Sequence, residues 1–372
     1  MIIKSAAWNF DAFYNSKHPE YVAIRNLVAQ NPQHEFILVG HGKHYENFRL
    51  GKTLFYNFGS GNKLRYLFSL SMNFLLPLVY RPSVLVGMGG INLVPMALAS
   101  ILNRTKFIPT IVIDLWYSIP NVPKPINKTL KLLLRASFKA SYVCLAISQS
   151  IRKELMYEYK VNSQRIVVYK YMISNIFNPY VPKDLRIQLN PNGPVVLTVC
   201  RFSPQKGLEY LVEASLAVVK KIPNVKFIIR SYSSEPEYKK KILTLISANH
   251  LDDHYKIIEE FSSYEEIPRY MVASDVFVLP SISEGLAMVV LEAMTCGLPV
   301  ISTRVGGAPD VIINNYNGLL IESKNADSLA KAMLSVLLDD AARKRLSNGA
   351  LVTARRINEN EFQTLLSKFI FS

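Results

Sequence analysis

The sequence predicts an α/β protein built as two open, doubly wound parallel sheets in tandem, and three observations carry that expectation. With 372 residues, 49% of them hydrophobic and 19% charged, the chain is long and apolar enough for about two domains, each with its own core. Short apolar runs alternate along it with longer amphipathic ones, which is the pattern of successive β/α units. That pattern breaks once, at residues 178–194. There Asn178-Pro179 through Pro182 and then Leu189-Asn190-Pro191-Asn192-Gly193-Pro194 crowd turn formers together before a fresh apolar run begins.

In the first half, strands are expected at residues 36–40, 84–87, 107–113, 142–147 and 165–169, each a short run rich in β-branched or aromatic residues. Residues 66–80 are uncharged, contain Pro77, and are bracketed by Lys63, Arg65 and Arg81. They fall short of the ~20 apolar residues a membrane span needs, so they read as a buried helix, with a helix lying in a membrane interface as the alternative. In residues 124–139, Lys128, Lys131, Arg135 and Lys139 recur at three- and four-residue steps beside Leu130, Leu132, Leu133, Leu134 and Phe138. The result is a basic amphipathic helix whose charged stripe meets either solvent or a membrane. A helix at 148–157 precedes the last of these strands. The second half repeats the scheme, with strands expected at 195–199, 225–229, 276–279 and 299–302 and helices at 208–221, 288–296 and 327–338. The expected domains are therefore 1–180 and 195–355, followed by a helical tail at 356–372. Two open α/β sheets facing each other would place a ligand site in the cleft at their strands' carboxyl ends.

Charge separates the halves. Residues 1–180 hold 21 basic and 7 acidic side chains (+14), whereas residues 181–372 hold 22 and 21 (+1). After Glu46 and through Lys153 the only acid is Asp114, against 14 Lys or Arg. A positive surface seeking an anionic partner follows: a lipid headgroup, a phosphorylated acceptor or nucleic acid. No recognition-helix, finger or aromatic-platform signature supports nucleic acid. Cys144, Cys200 and Cys296 lie far apart without metal-ligand spacing, which argues against disulfides and zinc knuckles. The amino terminus lacks a basic region followed by a long apolar core, so a cytoplasmic location is expected.

The densest constellation runs from Val276 to Val300. An apolar strand ends at Pro280, a polar loop carries Glu284-Gly285, and an apolar helix follows, closed by Gly297 with Pro299 beyond it. The helix N-terminus offers unpaired N–H groups and a positive dipole end to a phosphate, and Gly285 allows close backbone approach. Glu284 and Glu292 flank this anion site. If every step between them were helical they would stand ~12 Å apart, beyond the ~5–9.5 Å of a glycosidase carboxylate pair. They suit a ligand with hydroxyls at both ends and an anionic middle. After the strand at 195–199, Arg201 and Lys206 lie in a loop leading into the next helix, where they would neutralise a diphosphate. A dehydrogenase fingerprint at Gly87-Met88-Gly89 fails because Asn92 stands where its third glycine belongs.

The run from Pro280 to Gly307, together with Arg201-x4-Lys206-Gly207, resembles the retaining nucleotide-sugar glycosyltransferases of family 4 (group 1), with the GT-B fold of two Rossmann-like domains facing an interdomain cleft. The resemblance implies that Glu284 contacts the donor sugar's hydroxyls and Glu292 the ribose. It also implies that Arg201 and Lys206 hold the diphosphate, and that Gly285, Leu286 and Ala287 cradle sugar and phosphate. Val305-Gly306-Gly307-Ala308-Pro309-Asp310 and Asn317-Gly318 match the family's Gly-Gly and Asn-Gly turns, with Asp310 where Glu is usual. The resemblance further implies retention of configuration, a nucleotide-sugar as substrate without a cofactor, and a terminal helix that returns to the first domain. That no metal is needed is expected from the residues, which include no Asp-x-Asp and no His-rich ligand spacing, while Arg201 and Lys206 can neutralise the diphosphate. Arg230-Ser231-Tyr232 replaces the usual Gly-x-Gly turn, and Asp114-Leu115-Trp116 stands where many members place a His, making Asp114 an acceptor-side candidate. Combined with the acid-poor half, the reading is a peripheral enzyme extending a lipid-linked glycan or glycolipid on an anionic cytoplasmic membrane face. The rivals are a soluble sugar (phosphate) synthase of the same fold and a basic membrane- or nucleic-acid-binding protein without catalysis.

Overall fold

A computed structural model describes residues 2–4, 19–40, 46–57, 63–88, 92–111, 124–169, 173–231, 234–259, 264–357 and 361–371. The chain divides into two units, Met1–Met172 with Asn360–Ser372, and Ile173–Glu359.

In the first unit, β-branched and aromatic runs form the strands Ile2–Lys4 (β1), Phe36–Gly40 (β2), Glu46–Leu50 (β3), Thr53–Asn57 (β4), Val84–Met88 (β5), Lys106–Ile111 (β6), Cys144–Ala146 (β7) and Ile166–Val168 (β8). The helices are Pro19–Gln30 (α1), Lys63–Tyr80 (α2), Leu93–Asn103 (α3), Lys124–Ala140 (α4) and Gln149–Tyr157 (α5). The sheet order is β3-β4-β2-β1-β5-β6-β7-β8, and only the β3–β4 pair is antiparallel. That pair is a hairpin turned at Gly51, whose φ of 56° a side chain adopts reluctantly.

With this strand order, the right-handed crossover rule for parallel β/α units assigns α2–α5 to one face of the sheet and α1 to the other. Packing agrees: α2 lies on α3 and α3 on α4, while the terminal helix Glu361–Phe371 lies on α1. His34, just after α1, meets the Phe371 ring at 4.8 Å. The uncharged 66–80 stretch is indeed helical but buried on one side only. Asn73 and Leu76 are buried, whereas Phe68, Leu75 and Val79 are exposed. On α4 it is Leu130, Leu134 and Phe138 that face the core.

The second unit contains Arg186–Leu189 (α6), Val195–Val199 (β9), Leu208–Lys221 (α7), Lys226–Arg230 (β10), Pro236–Ala248 (α8), Tyr255–Ile258 (β11), Ile267–Val272 (α9), Val276–Leu279 (β12), Met288–Thr295 (α10), Val300–Thr303 (β13), Ala308–Val311 (α11), Leu319–Ile321 (β14), Ala326–Leu337 (α12) and Asp340–Ile357 (α13). Glu361–Phe371 in the first unit is α14. All six strands are parallel in the order β11-β10-β9-β12-β13-β14. β9 and β12 are central and fully buried, so their residues read as unbroken apolar runs.

The turn-rich stretch at 178–194 lies within this unit rather than between units. The reason is a tie at Asp275: its carboxylate accepts from Arg186 at 2.7 Å and from the Val195 N–H at 2.8 Å. Cys144, Cys200 and Cys296 are all buried and unpaired. Burial pushes the Cys144 thiol up to about 11 and that of Cys200 up to about 12, and it raises Cys296 as well.

Candidate active site

Strand order in the second unit reverses between β9 and β12, since β9 leads outward to β10 and β11 while β12 leads outward to β13 and β14. At such a switch point the loops leaving the two carboxyl ends diverge and open a crevice. The sequence places its functional candidates in these two loops: Arg201 and Lys206 after β9, and Glu284 through Ala287 after β12.

The loops are stitched to each other. The Ile282 N–H donates to the Gln205 carbonyl at 2.7 Å, and the Gln205 side-chain amide donates to the Ser283 carbonyl at 2.9 Å. Gly207 caps α7 with φ 60°, and a Cβ there would stand 2.4 Å from the Pro280 carbonyl oxygen. Only glycine fits that approach. A third loop closes from β13, where Gly307 donates to the Gly285 carbonyl at 2.7 Å. Gly306, at φ 54°, leaves no room for a side chain, since a Cβ would be 2.1 Å from the Glu284 carbonyl oxygen.

Lys206 and Glu284 form one charged unit. The Lys206 ammonium donates to Glu284 Oε1 at 2.5 Å, and the Ser281 hydroxyl donates to the same oxygen at 2.6 Å. Both charged side chains are largely buried. Ser281 is in turn fixed through its carbonyl, which accepts from Thr303 at 2.6 Å. Arg201 is exposed at the end of β9. Leu286 and Ala287 are buried, and Ala287 enters α10 in extended conformation with no side chain capping the first turn. Only Met288 onward is helical, so the interval from Glu284 to Glu292 is half loop and the fully helical spacing does not apply.

Glu292 is 5% exposed, and Tyr264 donates to its Oε1 at 2.5 Å. Burial raises its carboxyl to about 7, against the opposing pull of the Tyr264 hydrogen bond. Burial and the facing carboxylate hold the Tyr264 phenol well above its ordinary value. The ring of Tyr264 rests edge-on against Phe177 at 5.3 Å. Sequence reasoning misses Tyr264, because it lies 28 residues from Glu292 in a short turn with no marker of its own.

Arg230, at the carboxyl end of β10 where the resembled family has a glycine turn, is fully buried. It pairs with Glu266 at 3.0 Å and stacks over the Tyr270 ring at 5.2 Å. Tyr232 and Asp114 lie outside the described residues. Asn317 proves structural: its buried amide donates to the Val311 carbonyl at 2.9 Å and to Thr353 at 2.8 Å, and it accepts from the Ile313 N–H.

Residues 183–351 match the family model of glycosyl transferases group 1. Among curated relatives, an uncharacterized glycosyltransferase of Methanocaldococcus jannaschii is 30% identical over 54% of this chain. A UDP-Gal:alpha-D-GlcNAc-diphosphoundecaprenol alpha-1,3-galactosyltransferase of Escherichia coli is 29% identical over 46% of it. The chain spans about half the length of these relatives, 58% of the first and 46% of the second. Among solved structures, sucrose-phosphate synthase from Thermosynechococcus elongatus superimposes with a TM-score of 0.79 over 100% of this chain and 98% of its own, at 18% identity. The fold class is thereby GT-B, with two Rossmann-like α/β units.

Proposed function

We propose that the chain is a glycosyltransferase that moves a sugar from a nucleotide-sugar donor to an acceptor with retention of configuration and without a metal. The observation that carries this reading is the Lys206–Glu284–Ser281 cluster beside the start of α10, with Glu292 buried inside that helix. Arg201, Lys206 and the helix N-terminus would neutralise the diphosphate, Glu284 would orient the sugar and Glu292 would anchor the ribose. The C1–O bond to the diphosphate breaks as the acceptor oxygen bonds to C1, and the acceptor's proton passes to the departing diphosphate. Gly285, Leu286 and Ala287 line the donor, and Asp114 serves the acceptor. The acceptor is a lipid-linked glycan or glycolipid on an anionic cytoplasmic membrane face, a reading supported by the +14 half and by the diphosphoundecaprenol substrate in the name of the Escherichia coli relative.

Calorimetric titration with a panel of nucleotides and nucleotide sugars, repeated on Glu292→Ala, tests the donor site. Selective binding of one nucleoside diphosphate class, weakened about tenfold or more in the variant, is the expected result. Folded wild-type protein that binds no nucleotide would overturn the assignment.

A further inference from the structure

On the first unit, α2 packs against α3 and α3 against α4, and the large side chains they leave exposed are mostly aliphatic. Phe68, Ser71, Leu75 and Val79 recur along α2 at three- and four-residue steps and are all exposed, Val79 by 73%. Leu98, Ile101 and Leu102 do the same on α3, with Leu102 exposed by 64%. Leu132 and Leu133 continue the surface on α4. None of the three helices contains an Asp or Glu. Exposed Arg81 and Arg104 stand just past the ends of α2 and α3, and exposed Lys128 and Lys139 lie on α4. Lys131 is bound by Glu158, so it is the neighbouring Lys128 and Lys139 that turn charge outward.

We propose that this face of α2, α3 and α4 is a docking surface for an anionic lipid bilayer. It rests on, and deepens, the membrane part of the function proposed above. Aliphatic side chains enter the boundary of the acyl region while the surrounding Lys and Arg meet headgroup phosphates. No helix among the described residues is long and apolar enough to cross a membrane, so these three lie on the surface. A protein partner suits the face less well, because protein interfaces are depleted in Lys.

Flotation with phosphatidylcholine vesicles, with and without phosphatidylglycerol, tests the surface. It compares wild type, the double variant Val79→Glu/Leu102→Glu, and Ile313→Glu, a control exposed by 62% on the second unit. Wild type and control are expected to bind the phosphatidylglycerol vesicles about tenfold or more tightly than phosphatidylcholine alone, and the double variant to lose that gain. Melting curves and nucleotide titration confirm that each variant is folded. A folded double variant that floats like wild type overturns the face while leaving membrane association itself standing. Wild type that floats with neither vesicle overturns both. In that case, a dimer in sedimentation equilibrium that the double variant loses would assign the face to a second copy of the chain. Loss of flotation by Ile313→Glu as well would overturn the assignment to these helices.

Discussion

Glu292 takes a proton near pH 7 instead of near 4.5 because water is excluded around it. Between those values the native chain binds more protons at this carboxyl than the unfolded chain does, so stability falls as pH rises through the window. The penalty is absent below about pH 4.5 and complete above about pH 7, and the shift corresponds to about 3 kcal/mol at most. Glu292→Gln keeps an oxygen for Tyr264 to donate to and removes the charge. It is expected to be more stable than wild type by about 1–3 kcal/mol at pH 8, with the gap closing towards pH 5, as read from urea unfolding at both values. Equal differences at the two pH values would show that Glu292 ionises without penalty. A carboxylate kept at such cost inside an apolar helix argues for a ligand-facing role, since packing alone would be served better by Leu or Met.

The loops after β9, β12 and β13 form one assembly, and glycine sets how closely they approach. Gly306→Ala combines a strained φ of 54° with a Cβ 2.1 Å from backbone, so it is expected to cost more than about 2 kcal/mol and to weaken donor binding by displacing Glu284. Gly51→Ala, in the β3–β4 hairpin with nothing within 4 Å, should cost only the φ strain of about 1 kcal/mol and leave donor binding unchanged. Paired denaturation and titration of the two variants separates close approach from strain. The β12–α10 element was legible in the sequence because a buried parallel strand is an unbroken apolar run and the helix end is marked by Gly297 and Pro299. β1 and β14, at three residues each, are too short to display any period, and β3 reads as polar because it is an antiparallel edge. The Lys206–Glu284 pair, 78 residues apart, and the Tyr264–Glu292 contact arise from strand order, which local pattern does not encode.

Across the whole molecule, charge is balanced differently in the two units. The second carries exposed pairs such as Lys239–Glu259 and Arg269–Asp184, which add little stability individually but cancel one another's field. Residues 1–180 carry three basic side chains for each acidic one, so their field extends outward over roughly a Debye length, ~8 Å at 0.15 M salt. The buried cysteines have a separate consequence, because Cys144 belongs to the first unit while Cys200 and Cys296 belong to the second. A thiol kept protonated and out of water reacts with a disulfide reagent only when the structure around it opens. In native buffer at neutral pH, labelling is expected to be slow at all three. In rising urea, mass spectrometry should find one modification or two modifications before three if the units open independently, and a single jump to three if they open together. The chain thus carries its own chronometer of unfolding, one sulfur reporting on the first unit and two on the second.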